Sequence, residues 1–424
     1  MKSKTITVKD SGVIERRFRL LNFYNAMLIF LAIPCILLIL FLILKDFHYF
    51  NSRISVFFPI LLVVLFLSRY LFFFAGNSEL LKDVKSNKIG RYKKNKIIKL
   101  WDKIIKENFE DNEEIPSIYL IEGVGNNAFV INSLLLNFIK GFNSIKISKE
   151  LFDYLSIDEL KAIIAHEIGH FKKYISIADR VPFIPFSFSI LVTYISIAFL
   201  FPVFSIEALV VYFVCLIIIN IIITYPFKIF RKDVEFLSDL YAANKYGKLN
   251  TINALIKIYQ MDNIDILVNL EIVKFMMQSK HMKVKDFQRI KRKIDRRLHK
   301  KRYDEKLIKD QVVKYLKGMK FSNKQKLSKD EIKQRNRVLE VYIKSISKLL
   351  TSKIIDWDDI DNHIKDARID SVEYKGFIET LKNNPELQLF RTPDDNIKKM
   401  KFAKHPALRE RILFIAQNGL SLTG

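Results

Sequence analysis

Cysteine is almost missing from this chain of 424 residues: only Cys35 and Cys215 occur, both inside apolar runs, which excludes a disulfide framework and a thiolate metal cluster. Glycine (12) and proline (10) are scarce as well, so beyond Asn250 little interrupts a charged, mostly helical pattern. Acidic residues are in deficit, 45 against 70 Lys and Arg, leaving a net charge of +25 that suits nucleic acid or the anionic inner face of a membrane. What is abundant is apolar: 50% hydrophobic residues and a mean hydropathy of +0.10 exclude disorder. With 27% charged residues in the same chain, the apolar ones must be gathered in blocks, as in a membrane protein.

Four such blocks stand out. Ala26 to Leu44 is nineteen apolar residues without a charge, enough helix for about 30 Å of hydrocarbon, and Ile54 to Ala75 follows it. Val181 to Phe204 and Ala208 to Phe227 form a second pair around a tight connection at Ser205 to Glu207. The first pair reads as an uncleaved signal anchor, not a secretory signal peptide. Lys2, Lys4, Lys9, Arg16, Arg17 and Arg19 precede the first block and Lys228, Arg231 and Lys232 follow the fourth, so the positive-inside rule places both termini and segment 76–180 in the cytosol. Further on, Lys280 to Arg302 holds twelve Lys or Arg against two Asp, with Phe287, Ile290, Ile294 and Leu298 on a narrow stripe. That pattern reads as a basic helix on anionic lipid of the inner leaflet, ahead of a merely solvated helix; no aromatic interleaving supports RNA, and no nucleic-acid partner is expected. The cluster Asp356, Asp358, Asp359, Asp361 lacks a calcium-loop glycine and reads as a helix start.

Between the two apolar pairs the period changes to that of strands. Ser117 to Ile121, Asn127 to Ile131 and Ser144 to Ile147 are short β-branched stretches near turn residues, which predicts a small sheet. Ser156-Ile157-Asp158-Glu159 has the form of a capping box, and Leu160, Ile163, Ile164 and Ile168 recur behind it, so a helix starts near Ile157. That helix carries His166-Glu167-Ile168-Gly169-His170. Two histidines four apart share one face and can converge on one metal ion, with Glu167 beside it: the zinc-peptidase motif. Two surface histidines without a ligand are the bland alternative, weakened by the helical context. A catalytic zinc needs a third protein ligand and an open position. Glu235 and Asp239, one turn apart just past the fourth block, supply a third ligand and an acceptor for the far nitrogen of a ligating histidine. A solvated acidic pair is the competing reading, outweighed by the histidine motif.

In this order the motifs resemble the HtpX-like integral-membrane gluzincins, relatives of the CAAX prenyl protease. Asn127-Ala128-Phe129 is similar to that family's Asn-Ala-Phe strand, and His405-Pro406-Ala407-Leu408-Arg409-Glu410-Arg411 to its C-terminal His-Pro and Arg motif. Ser238 stands where the relatives commonly have alanine. The resemblance implies one zinc per chain on His166, His170 and Glu235, Glu167 as general base, Asp239 behind the ligands, and Asn127, Ala128 and Phe129 as an edge strand that takes substrate; an ordinary strand is the alternative there. It also implies that His405 and Arg411 stabilise the oxyanion or hold the substrate backbone, unless Pro406 simply opens a terminal helix.

The fold class expected is therefore mainly α: a four-span membrane protein with a cytosolic zincin-type α+β metallopeptidase domain and a helical C-terminal insertion. Its parts are a tail at 1–25, a membrane hairpin at 26–75, a catalytic part at 76–180, a second hairpin at 181–227, the Glu-x-x-x-Asp helix at 228–250, a basic helical insertion at 251–404 and a C-terminal segment at 405–424. The function expected is zinc-dependent endopeptidase cleavage of membrane proteins or membrane-associated peptides at the cytosolic face of the cell membrane, in stress-linked quality control. A dedicated processing peptidase for one peptide or lipid-modified precursor, or an adaptor with a structural metal, are the rivals.

Overall fold

A computed structural model describes residues 10–24, 26–27, 78–122, 127–132, 143–174, 232–278, 282, 289–291, 294, 305–317, 327–350, 353–361, 368–385, 387–390 and 406–420. In chain order these hold helix α1 (11–24), strands β1 (Ser78–Leu80), β2 (Lys88–Ile89) and β3 (Tyr92–Lys93), helix α2 (Lys94–Asn108), strands β4 (Ser117–Ile121), β5 (Ala128–Asn132) and β6 (Asn143–Ser148), a single turn α3 (Leu151–Tyr154), and helices α4 (Ile157–Lys172) and α5 (232–246). The rest is helical: α6 (Lys248–Gln278), α7 (Glu305–Lys317), α8 (Lys329–Leu350), the single turn α9 (Trp357–Ile360), α10 (Glu373–Asn383) and α11 (Leu408–Asn418).

The main sheet runs β1-β4-β6-β5, with β4 and β6 parallel and the outer pairings antiparallel. Alternation puts the aliphatic residues of each strand on one face, and the register lines them up across strands: Ile118, Ile145 and Val130 form one row, Leu120, Ile147 and Ala128 the next. Helix α2 lays Ile97, Leu100, Trp101 and Ile104 on this face from one stripe, and α4 adds Leu160, Ile163, Ile164 and Ile168. The predicted capping box forms at the head of α4: the Ser156 hydroxyl accepts from the Glu159 N–H (3.2 Å), while the Glu159 carboxylate accepts from the Ser156 N–H (2.6 Å). At the end of α5, Gly247 takes φ +89, a conformation other residues avoid, and this allows α6 to leave in a new direction.

The four-span architecture is corrected. Among the described residues no helix is long and apolar enough to cross a membrane. Helix α6 has the length, with 31 residues, but Lys257, Asp262, Asp265, Glu271 and Lys274 interrupt it; the 22 residues of α8 are still more charged. The blocks that carried the expectation (26–44, 54–75, 181–204 and 208–227) lie outside the described residues, apart from Ala26 and Met27. What the structure supports is a mostly helical protein with a small sheet.

Segment 251–404 shares its apolar residues with the parts around it. One core joins Ala243 of α5, Ile252, Leu255, Leu267 and Ile272 of α6, Val312 of α7, Phe377 and Leu381 of α10, and Leu408, Ile412 and Ile415 of α11. Ile290 and Ile294, half of the stripe assigned to lipid, are 0% and 2% exposed in that core, so protein and not lipid covers them. Phe287 and Leu298 lie outside the described residues.

Candidate metal centre

Helix α4 presents His166 and His170 one turn apart on the face turned toward α5, with their rings edge to face and their Nε2 atoms 3.0 Å apart. Glu235, in the first turns of α5, faces both: Oε2 lies 3.6 Å from His166 Nε2 and Oε1 lies 3.6 Å from His170 Nε2. Two nitrogens on one tetrahedral zinc, at bond lengths of about 2.05 Å, sit about 3.3 Å apart. The three separations bracket that value, and two nitrogens with a carboxylate are an ordinary zinc donor set. The residues fit the ion.

Behind the rings lies a buried polar layer. Asp239 is 0% exposed; its Oδ1 is 2.9 Å from His166 Nδ1, and its two oxygens accept from Arg411 Nε at 2.7 Å and Nη2 at 2.6 Å. Nη2 of Arg411 is also 3.5 Å from Glu235 Oε2. Ser238, one residue before Asp239, places its hydroxyl 3.1 Å from His170 Nδ1. Each histidine thus has a polar neighbour within 3.1 Å of its far nitrogen and leaves Nε2 facing Glu235. Burial weighs against charging Asp239, but Arg411 and then His166 overcome it and hold the carboxyl below its usual range. Burial also opposes a charge on His166, and the hydrogen bond and charge of Asp239 reverse this and raise its pKa. For His170 burial, reinforced by the neighbouring His166, pushes the pKa down to about 3, so its lone pair is available at neutral pH.

Glu167 is 6% exposed and near enough to act electrostatically on His166. Asn127, Ala128 and Phe129 stand at the start of β5, which packs along α4 and pairs only with β6 among the described residues. The Ser148 N–H donates to the Asn127 carbonyl (2.9 Å), and by antiparallel alternation Ala128 and Val130 turn their own backbone groups to the edge away from β6, which no strand among the described residues pairs. His405 lies outside the described residues. Arg411 belongs to α11, which follows Pro406 and Ala407, and its Nε and Nη2 donate to the two oxygens of Asp239. The terminal helix begins at Leu408 with Ala407 as its N-cap, so Pro406 stands one residue ahead of the cap.

The sequence reading missed two residues. Gly169 sits where α4 meets α5, and a Cβ there would come within 3.3 Å of both Ser238 Cα and Tyr241 Cβ. Ser238 was visible only as a departure from alanine. Neither role could be read before the crossing of α4 and α5 was known, because no local pattern announces an interhelical contact.

Two histidines and a glutamate from crossing helices, with a second glutamate next to the first histidine, define a metallopeptidase centre. The chain belongs to peptidase family M48, whose family model matches residues 92–417. Members of this family are zinc-dependent peptide-bond hydrolases and include HtpX and relatives of the CAAX protease. No curated protein and no solved structure matches the chain.

Proposed function

We propose that this chain is an HtpX-like zinc-dependent endopeptidase that cleaves membrane proteins or membrane-associated peptides at the cytosolic face, in the turnover of damaged proteins. The observation that carries the reading is the convergence of His166, His170 and Glu235. His166, His170 and Glu235 would hold the zinc, which would supply Lewis acidity and lower the pKa of a bound water to about 7. Glu167, beside His166, would be the general base that accepts a proton from an attacking water and gives it to the leaving amine. An extended peptide lies along β5, bonding to the backbone groups of Ala128 and Val130 whatever its sequence, as a broad substrate range requires. His405 remains the donor to the developing oxyanion in this scheme; Arg411 instead keeps Asp239 ionised behind His166. The net charge of +25 supports work beside an anionic membrane surface.

The test is Glu167→Gln. Zinc should stay bound while cleavage of an unstructured protein substrate falls by about 10²–10⁴-fold, the range for a general base. Undiminished cleavage would remove Glu167 from the mechanism. In cells producing this variant, many unrelated membrane peptides should accumulate; a single accumulating species would favour dedicated processing.

A further inference from the structure

We propose that Ser238 is the positioning residue of His170, fixing the tautomer in which His170 Nε2 is free to bind the cation. The proposal rests on the metal-centre reading above. A neutral imidazole has one lone pair, so Nε2 can face Glu235 and a cation only if Nδ1 carries the hydrogen. Half-buried in that position, the Nδ1–H is best met by an acceptor from the protein. For His170 the hydroxyl of Ser238, a residue with 0% exposure, is 3.1 Å away and supplies that acceptor. The opposite arrangement, with Ser238 donating to Nδ1, puts a hydrogen on His170 Nε2. That hydrogen would point toward His166 Nε2, 3.0 Å away, and into the place of the cation.

The two histidines are therefore held by consecutive residues of α5, one charged and one neutral. Asp239 brings a carboxylate to His166 and needs Arg411 to stay ionised. Ser238 performs the same orientation for His170 without adding a further negative charge beside Glu167, Glu235 and Asp239. Its approach depends on Gly169: with no side chain at 169, the Ser238 backbone comes close enough for the hydroxyl to reach one residue further along α4.

The experiment is zinc competition against a chromophoric chelator at neutral pH on the full chain, comparing wild type with Ser238→Ala and Ser238→Thr. Melting of the zinc-free proteins and kcat and KM are recorded alongside. Ser238→Ala should bind zinc about 10-fold more weakly, at the lower end of what an outer hydrogen bond to a metal ligand contributes. Its zinc-free melting should fall only by what one lost hydrogen bond costs, its KM should stay unchanged, and Ser238→Thr, which keeps the hydroxyl, should recover most of the affinity. Wild-type affinity in Ser238→Ala overturns the proposal, and so does an equal loss in Ser238→Ala and Ser238→Thr. Wild-type protein that binds zinc but cleaves nothing overturns the peptidase reading alone, while wild-type protein that binds no zinc overturns both.

Discussion

At the scale of single residues, the costliest group in the centre is Asp239, a carboxylate with no exposure at all. It stays ionised because Arg411 donates to both of its oxygens, from 172 positions further along the chain. Removing one partner of a buried pair leaves the other charge uncompensated, at a cost of about 3–5 kcal/mol. Arg411→Met should therefore lower the unfolding free energy of the zinc-free protein by about that amount in urea titrations. A change close to zero would mean that the pair is solvated. The pH dependence has a definite sign. The folded-state pKa of Asp239 lies below its ordinary 3.8, so the stability it contributes is complete above that pH and is lost as pH falls through the lower folded value. Without Arg411, burial is opposed chiefly by His166, and the Asp239 pKa rises. Acid unfolding of Arg411→Met, followed by circular dichroism, should thus begin at a higher pH than in wild type. The sequence motif around His405 placed Arg411 near the site but did not show its pairing with Asp239, because a bidentate contact across so long a separation leaves no local trace.

At the scale of elements, the centre is a crossing of α4 and α5, and its closeness is set by Gly169. Two effects compete in Gly169→Ala. Alanine is the better helix former by up to about 1 kcal/mol. Its Cβ would stand 3.3 Å from Ser238 Cα, and backbone of a buried helix yields less readily than a side-chain end. Overpacking of this kind costs about 1–3 kcal/mol, so the steric effect should win. Gly169→Ala is expected to melt at a lower temperature and to bind zinc more weakly, since the same shift separates Glu235 from the histidines. A variant that melts higher with unaltered affinity would show that the crossing has room to spare. Both ligand helices were foreseeable to different degrees. Helix α4 carries its own signals, with Ser156 and Glu159 at its start and histidines four apart on one face. Strands β4, β5 and β6 announced themselves by β-branched alternation, whereas the two- and three-residue strands β1, β2 and β3 did not. What α4 would rest against could not be read in the same way, because Gly169, Ser238 and Tyr241 acquire their meaning only from one another. The long apolar blocks dominated the sequence reading through their hydropathy, whereas helices such as α2 and α10 bury one stripe, and α6 is buried on most sides within the core.

At the scale of the whole molecule, Glu159 ties three segments together with one side chain. It caps α4, and its two oxygens meet Lys257 of α6 at 3.1 Å and Arg368 at 3.1 Å, all with the carboxylate 0% exposed. Next to that junction the Asn253 side chain exchanges two hydrogen bonds with the backbone of Ile369, at 2.9 and 2.8 Å. Arg409 of α11 donates to the carbonyls of Leu381 and Leu387, closing the far end of the helical half. The sheet half and the helical half should therefore unfold together. The chain's two tryptophans test this, because one lies in each half: Trp101 is packed against the sheet, and Trp357 is stacked on Phe390, with ring centroids 5.1 Å apart. Trp357→Phe leaves Trp101 to report on the sheet, and Trp101→Phe leaves Trp357 to report on the helices. In urea both reporters should give one midpoint. Zinc at about 1,000 times its dissociation constant adds about 4 kcal/mol to whatever unfolds with the site, and both midpoints should rise together. A rise confined to Trp101 would mean that the helices beyond α6 melt on their own, and that Glu159, Asn253 and the shared core do not couple them to the metal centre.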